Sequence, residues 1–256
     1  MKKLFTLLAL TISFSMNAQL TAVTEGGNTG QRLSTSNASN HGDIGSNAVD
    51  LSYSSGSSST RGATGGNAVA MGLGTTASGS YSTAMGYVTR ASENYSTAMG
   101  QSTTASGDTS TAMGYDTTAS GSYSTAMGYS TSASGTYAVA MGYKTQAIGY
   151  LSTAMGVRTI ASDFSSTVIG QYNSSGSSVT NSATIFSTSN TAFVIGNGTS
   201  GSLSDAFKVM FNGDTTVSND LTVSGDVVIS SDARLKSNIV SLGSTLPKLL
   251  QIDGKS

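Results

Sequence analysis

Residues 95–108 read Tyr95-Ser96-Thr97-Ala98-Met99-Gly100-Gln101-Ser102-Thr103-Thr104-Ala105-Ser106-Gly107-Asp108, and the same phrase recurs with small changes on either side. Met71, Met85, Met99, Met113, Met127, Met141 and Met155 fall 14 residues apart, Ile169 takes the eighth place, and a glycine follows each. Self-similarity at a fixed short period marks a stacked repeat architecture. Fourteen residues cannot make a helix pair with turns, and Thr, Tyr and Gly disfavour helix here. Residues 67–170 therefore read as eight coils of an all-β, 14-residue-repeat parallel β-roll, or solenoid. At ~4.8 Å per coil, eight coils span about 38 Å.

Each unit holds two short extended pieces, such as Thr83-Ala84-Met85 and Val88-Thr89-Arg90-Ala91, with glycines at the corners. Strand alternation puts Thr83 and Met85 on one face and Ser82, Ala84 and Gly86 on the other. Methionine is the only sizeable apolar residue repeated at nearly every coil, so it is expected to fill the lumen. Burying one is worth ~1.5–3 kcal/mol. The Ala/Gly face is then left smooth for a second chain, and so thin a core is expected to need self-association.

Outside the repeats the chain changes character. Lys2 and Lys3, the apolar stretch Leu4 to Phe14, and Ser15-Met16-Asn17-Ala18 before Gln19 read as a signal peptide over residues 1–19. Export to the cell surface or the extracellular space follows. No later apolar run reaches the ~18 residues of a membrane span, so no transmembrane segment is expected. Residues 20–66 are rich in Ser, Asn and Gly, and part of this stretch is expected to be disordered. Within it Asn47-Ala48-Val49-Asp50-Leu51 echoes Asn67-Ala68-Val69-Ala70-Met71 at a distance of 20, which reads as a degenerate coil carrying a short inserted loop.

Composition excludes several classes. The net charge of -1 argues against a nucleic-acid partner. With no cysteine, neither a disulfide framework nor a thiolate metal site is available. His41 reads as a solvated loop residue, and no metal or cofactor is expected. Gly254-Lys255-Ser256 lacks the upstream glycine of a phosphate-binding loop, since Leu249 holds that place. Asp and Asn between Asn212 and Asp220 suit turns.

The strings S-T-A-M-G and A-V-A-M-G, each followed by T-x-A-S-G, resemble the head repeats of YadA-like trimeric autotransporter adhesins over about 100 residues. The resemblance implies a left-handed β-roll assembled as a homotrimer. Beyond the repeats, Thr191-Ala192-Phe193-Val194-Ile195-Gly196 reads as a last irregular coil, followed by a strand around Phe207 to Phe211. Thr216 to Ser218, Leu221 to Val223 and Val227 to Ile229 read as short strands of a narrow β stem, so that residues 171–230 combine irregular coils and stem.

Residues 231–256 open with Ser231-Asp232-Ala233-Arg234-Leu235-Lys236 and end in a short helical stub interrupted by Pro247. This opening is similar to the auto-cleaving intramolecular chaperone of phage endosialidases and tail fibres, whose signature is S-D-x-x-L-K. That resemblance implies Ser231 as nucleophile and Lys236 as base, with cleavage between Ser230 and Ser231. A desolvated lysine can accept the hydroxyl proton. The segment covers only the start of that domain.

Tyrosines form two columns, Tyr81, Tyr95, Tyr123 and Tyr137, and Tyr87, Tyr115, Tyr129 and Tyr143. They read as stacked ladders at coil corners, or as an aromatic surface for glycans or host proteins. The leading expectation is a secreted or cell-surface homotrimeric adhesin-like fibre that binds host or matrix surfaces. A self-processing fibre is the alternative. An ice-binding solenoid is a minor one, suggested by the threonine column Thr75, Thr89, Thr103, Thr117, Thr131, Thr145 and Thr159.

Overall fold

The computed structural model describes residues 20–174 and 183–224. The chain divides after Asn219 into two units, and the solenoid lies in the first. Ten long strands, from Val49–Tyr53 to Thr191–Asn197, run parallel in a fourteen-stranded sheet, and eight two-residue strands form a second sheet. The fold is a parallel β-solenoid with one coil per 14-residue repeat. Coils stack in register: Met99 pairs with Met85 on one side and Met113 on the other, and Ala105 with Ala91 and Ala119. Backbone hydrogen bonds run coil to coil, as where Thr97 N–H donates to the Ser110 carbonyl at 2.8 Å and Thr104 N–H to that of Thr117 at 2.8 Å.

The degenerate first coil pairs as its sequence implies, with Val49 opposite Val69 and Leu51 opposite Met71. Its long strand Val49–Tyr53 and short strand Gly62–Ala63 are separated by residues 54–61, where the inserted loop lies. Residues 20–33, inside the 20–66 stretch of which part is expected to be disordered, form an antiparallel hairpin, Leu20–Glu25 with Asn28–Leu33. Gly26 (φ +54°) and Gly27 (φ +83°) supply the two left-handed residues of a tight hairpin turn. At the other end Ile195 and Gly196 stack on Ile169 and Gly170. The strand Asp205–Met210 then turns back antiparallel, followed by Thr215–Val217. Leu221 to Val223, expected as a strand, is not one. Antiparallel hairpins thus close both ends of the parallel sheet, which covers edges that would otherwise template further pairing.

The alternation of faces is as expected, but its direction is reversed. Ala70, Ala84, Ala98, Ala112, Ala126, Ala140 and Ala154 are fully buried, and so are the columns of Ala77 and Ala91 and of Thr75 and Thr103. The methionines are not the core. Met71 and Met85 are each 37% exposed and the later ones half-buried. The reason is room: a long and a short strand closed in 14 residues leave the repeats a lumen wide enough only for side chains no larger than those of threonine and valine. Two glycine columns let successive coils approach one another closely. A Cβ on Gly107 would collide with the carbonyl oxygen of Gly121, and Gly114 both sits at φ +122° and abuts the carbonyl of Gly128.

A candidate binding surface

The long strands turn Thr, Met and Tyr outward, as in Thr111, Met113 and Tyr115. Register repeats the methionine in a ladder from coil to coil and sets Tyr115 against Tyr129 and Tyr129 against Tyr143, while Gln101 faces Tyr115 on the other side. The result is a continuous methionine stripe beside exposed tyrosines (Tyr87 48%, Tyr115 43%, Tyr129 43%, Tyr143 41%). Tyr115, Tyr129 and Tyr143 stack at 4.9 and 5.2 Å between centroids. The second tyrosine column stacks too, Tyr81 on Tyr95 at 5.1 Å and Tyr123 on Tyr137 at 4.9 Å. Beyond the stacked tyrosines, ring contacts continue edge-to-face from Tyr137 to Tyr150, flat from Tyr150 to Phe164, and edge-to-face again to Phe186 and Phe211. Both readings of the tyrosines begin from this geometry: rings spaced at the coil repeat, flat on one another, with their edges in solvent.

The corners that hold these rings are unusual. Tyr81, Tyr95, Tyr123 and Tyr137 have φ between +56° and +59°, and the column Val88, Ser102, Asp116, Ser130, Lys144 and Arg158 lies between +51° and +54°. Non-glycine residues in this region are uncommon. Each corner is fixed by a backbone bond to the coil before, as from Lys144 N–H to the Tyr129 carbonyl at 2.8 Å and from Arg158 N–H to that of Tyr143 at 2.7 Å. Nothing in the sequence signalled left-handed corners at these positions.

A second polar constellation lies beneath the N-terminal coil. Arg32 Nη1 meets Glu25 at 2.6 Å and its Nε meets Asp50 at 3.3 Å, while His41 Nδ1 is 3.1 Å from Asp50. His41 is therefore not the solvated loop residue expected; it is 6% exposed and paired with a buried carboxylate. Burial pushes the Asp50 carboxyl up, but hydrogen bonds from His41 and Ser52, with the His41 charge, outweigh it and hold the group below its ordinary value. Ser52, His41 and Asp50 are the residue types of a hydrolytic triad without its geometry. Ser52 Oγ and Asp50 both lie on the Nδ1 side of the ring, at 3.4 and 3.1 Å, whereas a triad needs the serine at Nε2. Among the described residues no group of three His, Cys, Asp or Glu side chains could hold a metal.

The other sequence candidates separate cleanly. Ser231 and Lys236 lie outside the described residues, as do residues 1–19, expected as a signal peptide, and residues 231–256, expected to end in a short helical stub. Thr75, Thr89, Thr103, Thr117, Thr131, Thr145 and Thr159 are all at most 1% exposed. That column faces the lumen and cannot present threonines to ice. Among the described residues no helix is long and apolar enough to cross a membrane.

Comparison with known families bears on the stacked region. Residues 63–88, 91–117, 119–145 and 147–173 match the family model of the YadA head domain repeat, two copies to a match. Each match spans about two coils, so the family's unit and the structural coil coincide. No curated protein matches the chain.

Proposed function

We propose that the chain is an adhesin-like fibre presented at the cell surface or secreted, whose β-roll head assembles as a homotrimer and attaches to host or matrix surfaces. The observation that carries the reading is the outward Thr–Met–Tyr face. Contiguous exposed apolar area of this extent marks an interaction surface, and the lumen of alanine and threonine is too thin to stabilise a long stack well alone. Methionine suits such an interface because its flexible side chain fills irregular gaps. The YadA head repeats support the adhesive role, and the N-terminal signal sequence supports export. Three parallel heads would bring many weak sites to one surface and gain by avidity.

Sedimentation equilibrium of the exported chain tests the assembly. Three chains per particle are expected, and Met113→Asp with Met127→Asp should give single chains, since two carboxylates would be buried at the contact. Attachment of the purified protein to matrix-coated plates tests the role. Trimer that binds no cell or matrix surface better than an unrelated β-solenoid would sink the adhesive part.

A second reading is a self-processing fibre, favoured by the Ser231-Asp232-Ala233-Arg234-Leu235-Lys236 string. In that reading Lys236 takes the proton of the Ser231 hydroxyl, whose oxygen attacks the Ser230 carbonyl; the Ser230–Ser231 C–N bond breaks as the Ser231 nitrogen receives the proton, and water then hydrolyses the ester to free the chain beginning at Ser231. Mass spectrometry of the expressed protein should find a product beginning at Ser231 that disappears in Ser231→Ala and Lys236→Ala. A chain that stays whole before substitution removes this reading.

A further inference from the structure

We propose that the groove at the coil corners around Lys144 and Arg158 binds an acidic sugar, one carrying a carboxylate or a sulfate. The groove has a volume of about 430 Å³, inside the ~300–1,000 Å³ range of small-molecule sites. Lys144 and Arg158 occupy the same corner column in successive coils, so their backbones stand about 4.8 Å apart. Neither makes an ion pair among the described residues, where every such pair involves Glu25 or Asp50. Lys144 Nζ lies 5.5 Å from the Tyr143 ring centroid and the Arg158 guanidinium 5.8 Å from that of Tyr172. The rings orient both cations beside the groove, with Arg158 exposed and Lys144 half-buried.

The charge pattern is local. Asp116, in the same column two coils earlier, is exposed and accepts a hydrogen bond from Ser130 at 2.9 Å. It bounds the positive stretch on that side. Two like charges one coil apart repel, and an anion between them removes that repulsion while accepting from both. The rest of the wall is not what a bare inorganic anion needs. Gln146 offers an amide, and Ile160, Leu203 and the edge of Tyr172 offer apolar area. A ligand with one anionic group, several hydroxyls and a C–H face fits that mixture, which is the chemistry of a uronic, sialic or sulfated sugar. The scaffold is already ordered. Lys144, Arg158 and Tyr172 are held at φ +54°, +51° and +44° by coil-to-coil backbone bonds, so little ordering is needed on binding.

This inference rests on the adhesive reading and names its ligand class, yet the two can fail separately. Calorimetric titration of the full chain with glucuronic acid, a sulfated disaccharide and glucose tests the groove. At least one acidic sugar should bind and glucose should not, with affinity falling as salt rises. Whether carboxylate or sulfate is preferred identifies the source, and either supports the proposal. Lys144→Ala with Arg158→Ala should weaken binding at least tenfold, while Arg90→Ala, an exposed arginine elsewhere on the stack, should leave it unchanged. Undiminished binding by the double variant, equal loss in Arg90→Ala, or equal binding of glucose overturns the proposal. So does tighter binding of a DNA oligonucleotide or a fatty-acid vesicle in the same assay. Circular dichroism identical to the parent keeps a folding defect from passing for lost binding. Sugar binding without surface attachment would defeat the adhesive reading alone, and attachment without sugar binding would defeat the groove alone.

Discussion

At the scale of single residues the lumen is the unusual place. Thr103, Thr117 and Thr131 are buried with Oγ1 atoms that have no hydrogen-bond partner among the described residues. Valine has nearly the same shape and no hydroxyl to desolvate. Thr117→Val should therefore raise stability by ~1 kcal/mol, the scale of an unsatisfied buried hydroxyl, read as a higher denaturant midpoint at unchanged slope. Enlarging the lumen has the opposite sign: Ala112→Leu should cost ~1–3 kcal/mol or more through overpacking. Asp50 gives a pH dependence. Its carboxyl is held below the ordinary aspartate value of 3.8, so the folded state binds its proton less readily than the unfolded chain does. Its stabilisation is then fully present above that ordinary value and is lost as pH falls through the depressed one. Hydrogen exchange at the Ser52 amide, which donates to Asp50 at 3.0 Å, should quicken below about pH 4 relative to the central coils. Asp50→Asn should abolish that acid step.

At the scale of the coil, backbone conformation decides what each position tolerates. Gly114 is required twice, by φ +122° and by the neighbouring Gly128 carbonyl. Gly114→Ala should shift at least two coils and lower the unfolding midpoint markedly. Ser102, at φ +54° and with a side chain in no hydrogen bond among the described residues, is a strained corner without such a demand. Ser102→Gly should be neutral or stabilise by up to ~1 kcal/mol, since left-handed backbone costs an L-residue ~1–2 kcal/mol and glycine's freedom in the unfolded chain offsets part of the gain. The same contrast explains what was legible beforehand. The 14-residue recurrence of methionine and glycine gave coil length, parallel stacking and register directly, and Asn47 to Leu51 gave the degenerate coil. Which face lines the lumen was not legible, because a period of two separates Ala84 from Met85 without saying which is inside. Only the width of the closed coil decides that, and it admits Ala84 and excludes Met85. The buried His41–Asp50 pair escaped notice because its partners Arg32 and Glu25 arrive from a separate hairpin.

At the scale of the whole molecule, a stack in which each coil touches only its neighbours should behave as a nearly additive array. Removing one full repeat then leaves every column intact. Deleting residues 109–122 joins Asp108 to Tyr123, and Tyr123 (φ +59°) enters the corner that Thr109 (φ +56°) held. Ala98 would meet Ala126, Met99 would meet Met127, and Gly100 would meet Gly128, all matching their present registers. Thr109 now interrupts the tyrosine column between Tyr95 and Tyr123, so the deletion would bring Tyr81, Tyr95, Tyr123 and Tyr137 into one unbroken stack. The shortened protein should keep its β-type circular dichroism and its assembly state, and should lose denaturant slope by about one coil's share of buried surface. Deleting seven residues, 109–115, is the control. It would keep Ala126 opposite Ala105 but set the five-residue strand Thr125–Tyr129 against the two-residue strand Thr104–Ala105, with Met127 opposite Ser106 and Gly128, at φ +125°, opposite Gly107, whose φ is not positive. That variant should aggregate or unfold. If both deletions were tolerated equally, the columns would not be what holds the coils together.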